Sequence, residues 1–126
     1  MIVQELIGGQ AVSVEPTATL RDAVRQMTGS EVGALVVQKD GQIVGIITER
    51  DILGACAEDV DLAAVPVADW MTRDPDSLGP EMTVAAAADW MLAAGYRHLP
   101  VVDGTEIMGM VSIKDILWGL TEPTSV

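Results

Sequence analysis

The chain repeats itself at a fixed spacing. Residues 3–53 align without a gap onto residues 67–117, an offset of 64, and 13 of the 51 aligned positions are identical. An unbroken offset over such a span indicates two copies of one supersecondary unit, which normally pack so that each covers apolar surface that the other cannot bury alone. We therefore expect a duplicated domain, with the first copy in residues 1–62 and the second in residues 63–126.

The length of the chain and its net charge limit which kinds of fold and function we expect. At 126 residues the chain is long enough for a hydrophobic core, whereas a half of about sixty residues would be only marginally stable by itself. Nineteen acidic residues against seven basic ones give a net charge of −12, which repels phosphate backbones at long range. We therefore expect no binding to nucleic acid, and any phosphate-bearing ligand should be small and held by local basic groups.

Two further features of the composition concern location and metal binding. The N-terminus lacks the basic start and long apolar run of a signal peptide. The alanine-rich stretch 83–95 is interrupted by an aspartate and is too short to span a bilayer. A cytoplasmic protein with no membrane segment is the expectation. The single cysteine, Cys56, and the single histidine, His98, allow neither an internal disulfide nor a zinc cluster.

Both copies predict the same order of elements. An extended stretch and a proline lead to Thr19 or Thr83, which are typical of a helix N-cap. The apolar residues that follow are spaced i, i+3, i+4 and i+7, as on one face of a helix; they are Leu20, Ala23, Val24 and Met27, and Val84, Ala87, Ala88 and Met91. Each helix should end near a glycine, Gly29 or Gly95. Two β-rich runs around an Asp-Gly turn then predict a hairpin, and an Ile-Leu helix follows, so each copy has the order β-α-β-β-α.

A polar tetrad joins each hairpin to the last helix of its copy. The first tetrad is Thr48–Asp51 and the second is Ser112–Asp115. A hydroxyl followed three residues later by a carboxylate is a helix-capping signature, which accounts for two of the four positions. It does not account for Arg50 and Lys114, because a cation in the first turn is unfavourable to the helix dipole. A bound anion would explain these bases, so capping alone and a nucleotide site stay open as interpretations.

At these residues the sequence resembles the cystathionine-β-synthase (CBS) domain pair, also called a Bateman module. The segments that carry the resemblance are Val67–Thr72, Arg97–Asp103, Gly45–Leu53 and Gly109–Leu117. It covers almost the whole chain. The resemblance implies an α+β fold of tandem β-α-β-β-α repeats packed through their sheets with pseudo-twofold symmetry. It also implies dimerisation and binding of adenosine-containing ligands (AMP, ADP, ATP or S-adenosylmethionine) in clefts between the repeats.

The resemblance also implies which residues bind the ligand. The hydroxyl and aspartate of each tetrad would bind the ribose. The second cleft would use Ser112, Lys114, Asp115, Arg97, His98 and Met110 of the second copy, with Ala18, Val32 and Gly33 of the first. The first cleft would use Thr48, Arg50, Asp51, Gly33, Ala34 and Ile46 of the first copy, with Met82 and Tyr96 of the second. Arg97 and His98 would lie towards the phosphates, and the first copy has Gly33 and Ala34 in their place.

No catalytic motif appears in the sequence. There is no Ser-His-Asp arrangement, P-loop or metal-spaced cluster, so we expect a protein that is not an enzyme and requires no cofactor. Two functions compete. The first is a regulatory sensor of an adenine nucleotide, acting as a homodimer on an unidentified protein partner. The second is a ligand-free interaction or scaffold module, in which the tetrads only cap helices.

Overall fold

The helices and strands repeat at the same offset as the sequence. The computed structural model describes residues 1–9 and 11–121. Its elements are β1 (Ser13–Val14), α1 (Leu20–Ser30), β2 (Ala34–Lys39), β3 (Gln42–Thr48), α2 (Glu49–Ala57), β4 (Thr72–Arg73), α3 (Val84–Ala94), β5 (His98–Asp103), β6 (Glu106–Ser112) and α4 (Ile113–Thr121). Both ends of α3, β5, β6 and α4 lie 64 residues after those of α1, β2, β3 and α2. The α+β fold with two repeats is therefore confirmed.

The strands form two separate sheets. In the first, β1 pairs parallel with β2, which pairs antiparallel with β3, and β3 pairs antiparallel with β4. The second is the β5–β6 hairpin, extended by a parallel bridge between Leu78 and Val101. Ala34 pairs with Thr48 in one hairpin and His98 with Ser112 in the other. Each tetrad therefore begins beside the first residue of its hairpin.

A short lead-in segment precedes each repeat, residues 3–7 and residues 67–71, and each begins with a 3-10 helix (Val3–Leu6 and Val67–Asp69). The chain divides into two compact units, and each lead-in belongs to the unit of the other repeat. One unit contains residues 1–11 and 76–126, and the other contains residues 12–75. In the first, the backbone N–H of Val3 donates to the carbonyl of Met82 at 2.8 Å. In the second, Val67 donates in the same way to Ala18 at 2.7 Å. The compact units therefore do not coincide with the division of the sequence at residues 62 and 63.

Glycines in β3 and β6 make room for these lead-ins. A Cβ on Gly45 would lie 2.7 Å from the sulfur of Met71, and a Cβ on Gly109 would lie 2.8 Å from Cγ2 of Ile7. Met71 and Ile7 are equivalent positions in the two repeats. Since real Cβ atoms do not approach so closely, the glycine that both repeats share is explained by the lead-in packed on each hairpin.

Each unit has its own core. In the unit with residues 76–126, Leu78, Met91, Leu99 and Ile116 are among the fully buried side chains. The corresponding core of the other unit contains Leu20, Leu35, Ile47 and Val67. The predicted helix faces are confirmed at Leu20, Ala23, Met27, Val84, Ala87, Ala88 and Met91, which are all buried. Among the described residues, no helix is long and apolar enough to cross a bilayer.

The predicted helix starts are confirmed, and both helices end within one residue of the predicted glycine. The hydroxyls of Thr19 and Thr83 cap α1 and α3 by accepting from backbone N–H groups at 3.1 Å. Helix α3 ends before Gly95, whose φ of 76° is left-handed. Helix α1 continues past Gly29 to Ser30, and Glu31 takes the left-handed position with a φ of 55°. Glu31 is the repeat equivalent of Gly95. Both helices therefore end before a left-handed residue at the same repeat position, although only the second repeat has a glycine there.

Candidate functional site

Both tetrads form closed hydrogen-bond networks at the start of a helix. In the first, the backbone N–H and the hydroxyl of Thr48 donate to Oδ2 of Asp51 at 2.9 and 3.1 Å, and the N–H of Asp51 donates to Oγ1 of Thr48 at 3.3 Å. In the second, the corresponding distances between Ser112 and Asp115 are 2.8, 3.0 and 3.1 Å. The predicted capping role of the hydroxyl and the carboxylate is therefore confirmed in both repeats.

The capping network uses only one oxygen of each carboxylate. Both donors from Thr48 or Ser112 end on Oδ2, and within the described residues no hydrogen bond reaches Oδ1 of Asp51 or Asp115. Both aspartates are half-buried at helix N-termini, where the dipole stabilises negative charge. Each site therefore offers a fixed, ionisable acceptor that can receive a hydrogen bond from a hydroxyl group.

The second tetrad lies beside basic residues of its own unit. The backbone N–H of Ile113, the second tetrad residue, donates to the carbonyl of Arg97 at 2.8 Å. His98 pairs with Ser112 across the hairpin, and Met110 lies two residues earlier on β6. Arg97 and Lys114 are exposed, whereas His98 is half-buried. The structure thus brings together the six second-copy residues predicted for this site: Ser112, Lys114, Asp115, Arg97, His98 and Met110.

The first tetrad lies beside small residues. The backbone N–H of Glu49 donates to the carbonyl of Gly33 at 3.0 Å, and Ala34 pairs with Thr48. Ile46 is buried two residues before the tetrad, and Arg50 is exposed. The six first-copy residues predicted for this site are therefore also grouped: Thr48, Arg50, Asp51, Gly33, Ala34 and Ile46.

Glu49 is a neighbour that the sequence pattern did not single out. A Cβ on Gly33 would overlap the Glu49 carboxylate, whose Cδ lies 3.0 Å from that point. At the equivalent positions the second repeat has Arg97 and Ile113. The two repeats therefore differ at both positions together: the first has Gly33 and Glu49 where the second has Arg97 and Ile113. This paired difference is the sequence signal that could have identified Glu49.

The remaining predicted residues lie in the unit opposite to the tetrad they were assigned to. Ala18 and Val32 belong to the unit that contains the first tetrad, and Met82 and Tyr96 to the unit that contains the second. Ala18 and Met82 accept the lead-in hydrogen bonds described above, and Val32 is exposed. Their use in a site with the other repeat's tetrad stays a prediction.

Tyr96 is fixed by two neighbours in its own unit. Its hydroxyl donates a hydrogen bond to the carboxylate of Asp76, and its ring meets that of Trp90 edge-on, with centroids 6.1 Å apart and an interplanar angle of 88°. The hydrogen bond to Asp76 raises the pKa of the phenol, and burial and the negative charge of Asp76 act in the same direction. The ring is thereby oriented without a ligand.

Among the described residues, no group of three or more His, Cys, Asp or Glu side chains is arranged to hold a metal ion.

Comparison with known proteins identifies the family. The model of the CBS domain matches the chain twice, at residues 3–58 and 67–122. The chain belongs to the CBS domain family. Its two CBS domains correspond to the two repeats, and each match contains one tetrad.

Relatives and solved structures cover nearly the whole chain. An uncharacterised 17.7 kDa protein of Acidianus ambivalens is 35% identical over 123 residues, which are 95% of this chain and 73% of that protein. The crystal structure of the CBS domain protein NE2398 matches with a TM-score of 0.91 and 28% identity, covering 97% of this chain and 98% of that one. The CBS domain protein PAE2072 from Pyrobaculum aerophilum, solved in complex with AMP, matches with a TM-score of 0.86 and 30% identity, covering 95% and 98%.

Proposed function

We propose that this CBS pair is a regulatory sensor of an adenosine-containing nucleotide, with one ligand site on each tetrad. The observation that carries the proposal is the aspartate of the tetrad. It is half-buried, and the capping network uses its Oδ2 atom but not its Oδ1 atom. The similar CBS protein solved with AMP supports an adenosine-containing ligand. The role is regulatory, so neither a catalytic residue nor a required cofactor forms part of it.

The chemistry of the tetrad suits a ribose. A ribose carries neighbouring hydroxyl groups that can donate to Oδ1 of Asp115, while Oγ of Ser112 lies at the same helix N-terminus. Hydrogen bonds to a charged acceptor are about twice as strong as neutral ones. The positive end of α4 and the side chains of Arg97 and Lys114 then favour a phosphate next to the ribose. AMP, ADP and ATP have this combination of groups.

Substitution of Asp115 tests the site. The change Asp115→Asn keeps the size of the side chain but removes the charged acceptor, so AMP affinity measured by calorimetry should fall by about 1 to 3 kcal/mol, which is about five- to 150-fold. Asp103→Asn, an exposed aspartate at the end of β5, is the matched control and should leave affinity unchanged. Equal AMP affinity in Asp115→Asn and the unsubstituted protein would contradict the assignment.

Substitution of Arg97 tests the phosphate contact separately. Without the guanidinium, AMP binding should weaken by about tenfold, because a hydrogen bond to a charged group contributes about 1.5 to 3 kcal/mol and Arg97 is exposed to solvent. Adenosine, which has no phosphate, should lose less than about twofold. Arg25→Ala on the exposed face of α1 removes the same charge elsewhere. Equal losses for AMP and adenosine would place the phosphate away from Arg97.

A ligand-free interaction module is the alternative. The closed capping networks favour it, because they satisfy both tetrads as helix starts without any ligand. Thermal unfolding separates the two functions. A ligand at a hundredfold excess over its dissociation constant stabilises the folded state by about 2.7 kcal/mol. An unchanged melting temperature across adenosine, AMP, ADP, ATP and S-adenosylmethionine would favour the interaction module.

A further inference from the structure

The two tetrads differ in the charge that surrounds them. Among the described residues of its own unit, the second tetrad has two cations, Arg97 and Lys114, against the single carboxylate of Asp115. The first tetrad has one cation, Arg50, against the two carboxylates of Glu49 and Asp51. The sign of the local charge is therefore reversed between equivalent positions.

The reversal comes from where the Glu49 side chain lies. Its carboxylate covers Gly33 so closely that a Cβ at residue 33 would overlap it. The equivalent of Gly33 in the second repeat is Arg97. The Glu49 carboxylate therefore occupies the place that corresponds to the Cβ of Arg97. The second repeat starts α4 with Ile113 at the position of Glu49. An acidic residue is therefore not required there for the helix to form.

The carboxylate of Glu31 lies near that of Glu49. Gly33 and Glu49 both line a groove of about 490 Å³, and Glu31 lines it as well. The described residues that line this groove include two carboxylates and no lysine or arginine. Because like charges raise the local negative potential and repel anions, the surface next to the first tetrad disfavours a phosphate group.

We propose that Glu49 is a specificity-determining residue that makes the Thr48/Asp51 site select adenosyl ligands without net negative charge, either neutral nucleosides or sulfonium compounds of net positive charge, over phosphorylated nucleotides. This inference rests on the proposed function, since it assumes that Asp51 binds a ribose. The Ser112/Asp115 site then takes the phosphorylated nucleotides, and the protein responds to two chemically different adenosyl ligands. Glu49 acts by charge and not by forming the ribose contact.

Calorimetry on a protein with a weakened second site tests the proposal. In the double variant Arg97→Ala/Asp115→Asn, binding at the first tetrad should dominate, and adenosine and S-adenosylmethionine should bind more tightly than AMP. Adding Glu49→Gln should strengthen AMP binding by about three- to fivefold, the upper part of the range for one solvent-exposed charge interaction. Adenosine should change by less than about twofold. The gain for AMP should shrink at high ionic strength, because salt screens exposed charges.

A matched control and the contrary outcomes complete the test. Glu58→Gln removes the same charge at the other end of α2, where Glu58 is exposed, and should leave both ligands unaffected. Equal binding of AMP and adenosine in the double variant, or equal effects of Glu49→Gln on both, overturns the role of Glu49 while the proposed function stands. Adenosine binding that disappears in the double variant overturns the role of Glu49 and the ligand site on the first tetrad, while nucleotide sensing at the second tetrad stands. Failure of every adenosyl compound to bind the unsubstituted protein overturns the proposed function and this inference together.

Discussion

At the scale of residues, a hydrogen bond to Asp76, which lies 20 positions earlier in the sequence, orients Tyr96. Tyr96 is the only tyrosine of the chain, so its phenolate absorbance can be followed without interference from another phenol. The bond to Asp76 raises its pKa, and the bond therefore stabilises the folded state below the unfolded pKa of about 10 and is lost as the pH rises through the folded value. We expect Asp76→Asn to lower the pKa of Tyr96 in a spectrophotometric titration. The same pKa in both proteins would contradict the hydrogen bond.

At the scale of elements, the N-cap residue that precedes a helix contributes to the stability of that helix. The backbone N–H of Ala86 donates to the hydroxyl of Thr83, which caps helix α3. Helix α3 has no acidic residue in its first turn, so no carboxylate there adds to the effect of this cap. We expect Thr83→Ala to lower the free energy of unfolding in urea by about 0.5 to 2 kcal/mol. Thr105→Ala, in the exposed β5–β6 turn, is the control. A loss at Thr83 no larger than that at Thr105 would show that the cap does not stabilise α3.

At the scale of the whole molecule, exposed apolar side chains indicate self-association. Helices α3 and α4 pack together, and Leu92, Leu117 and Trp118 on them are 70%, 62% and 54% exposed. A second copy of the chain would cover such a surface at the least cost. We expect a homodimer in sedimentation, with or without nucleotide, and dissociation to monomers in Leu117→Glu. Thr105→Glu adds the same charge outside these helices and should stay dimeric; a monomeric unsubstituted protein would contradict the prediction.

Much of the fold was readable from the sequence because the signals are local. The offset of 64, the threonine caps and the apolar spacing after Thr19 and Thr83 determined the order of elements, since capping and helix amphipathicity act within a few residues. The hydroxyl and carboxylate of each tetrad were predicted for the same reason. The assignment of these residues to nucleotide binding came from the family resemblance and stays a prediction.

The tertiary structure decided the features that depend on residues far apart in the chain. The exchange of lead-ins, the contact of Ile7 with Gly109 and the bond between Tyr96 and Asp76 join segments whose proximity no local pattern encodes. The position of Glu49 over Gly33 likewise depends on how the hairpin presents residue 33 to the first turn of α2. Periodicity and capping set each element by itself, whereas packing between elements determines which side chains meet and therefore the charge at each tetrad.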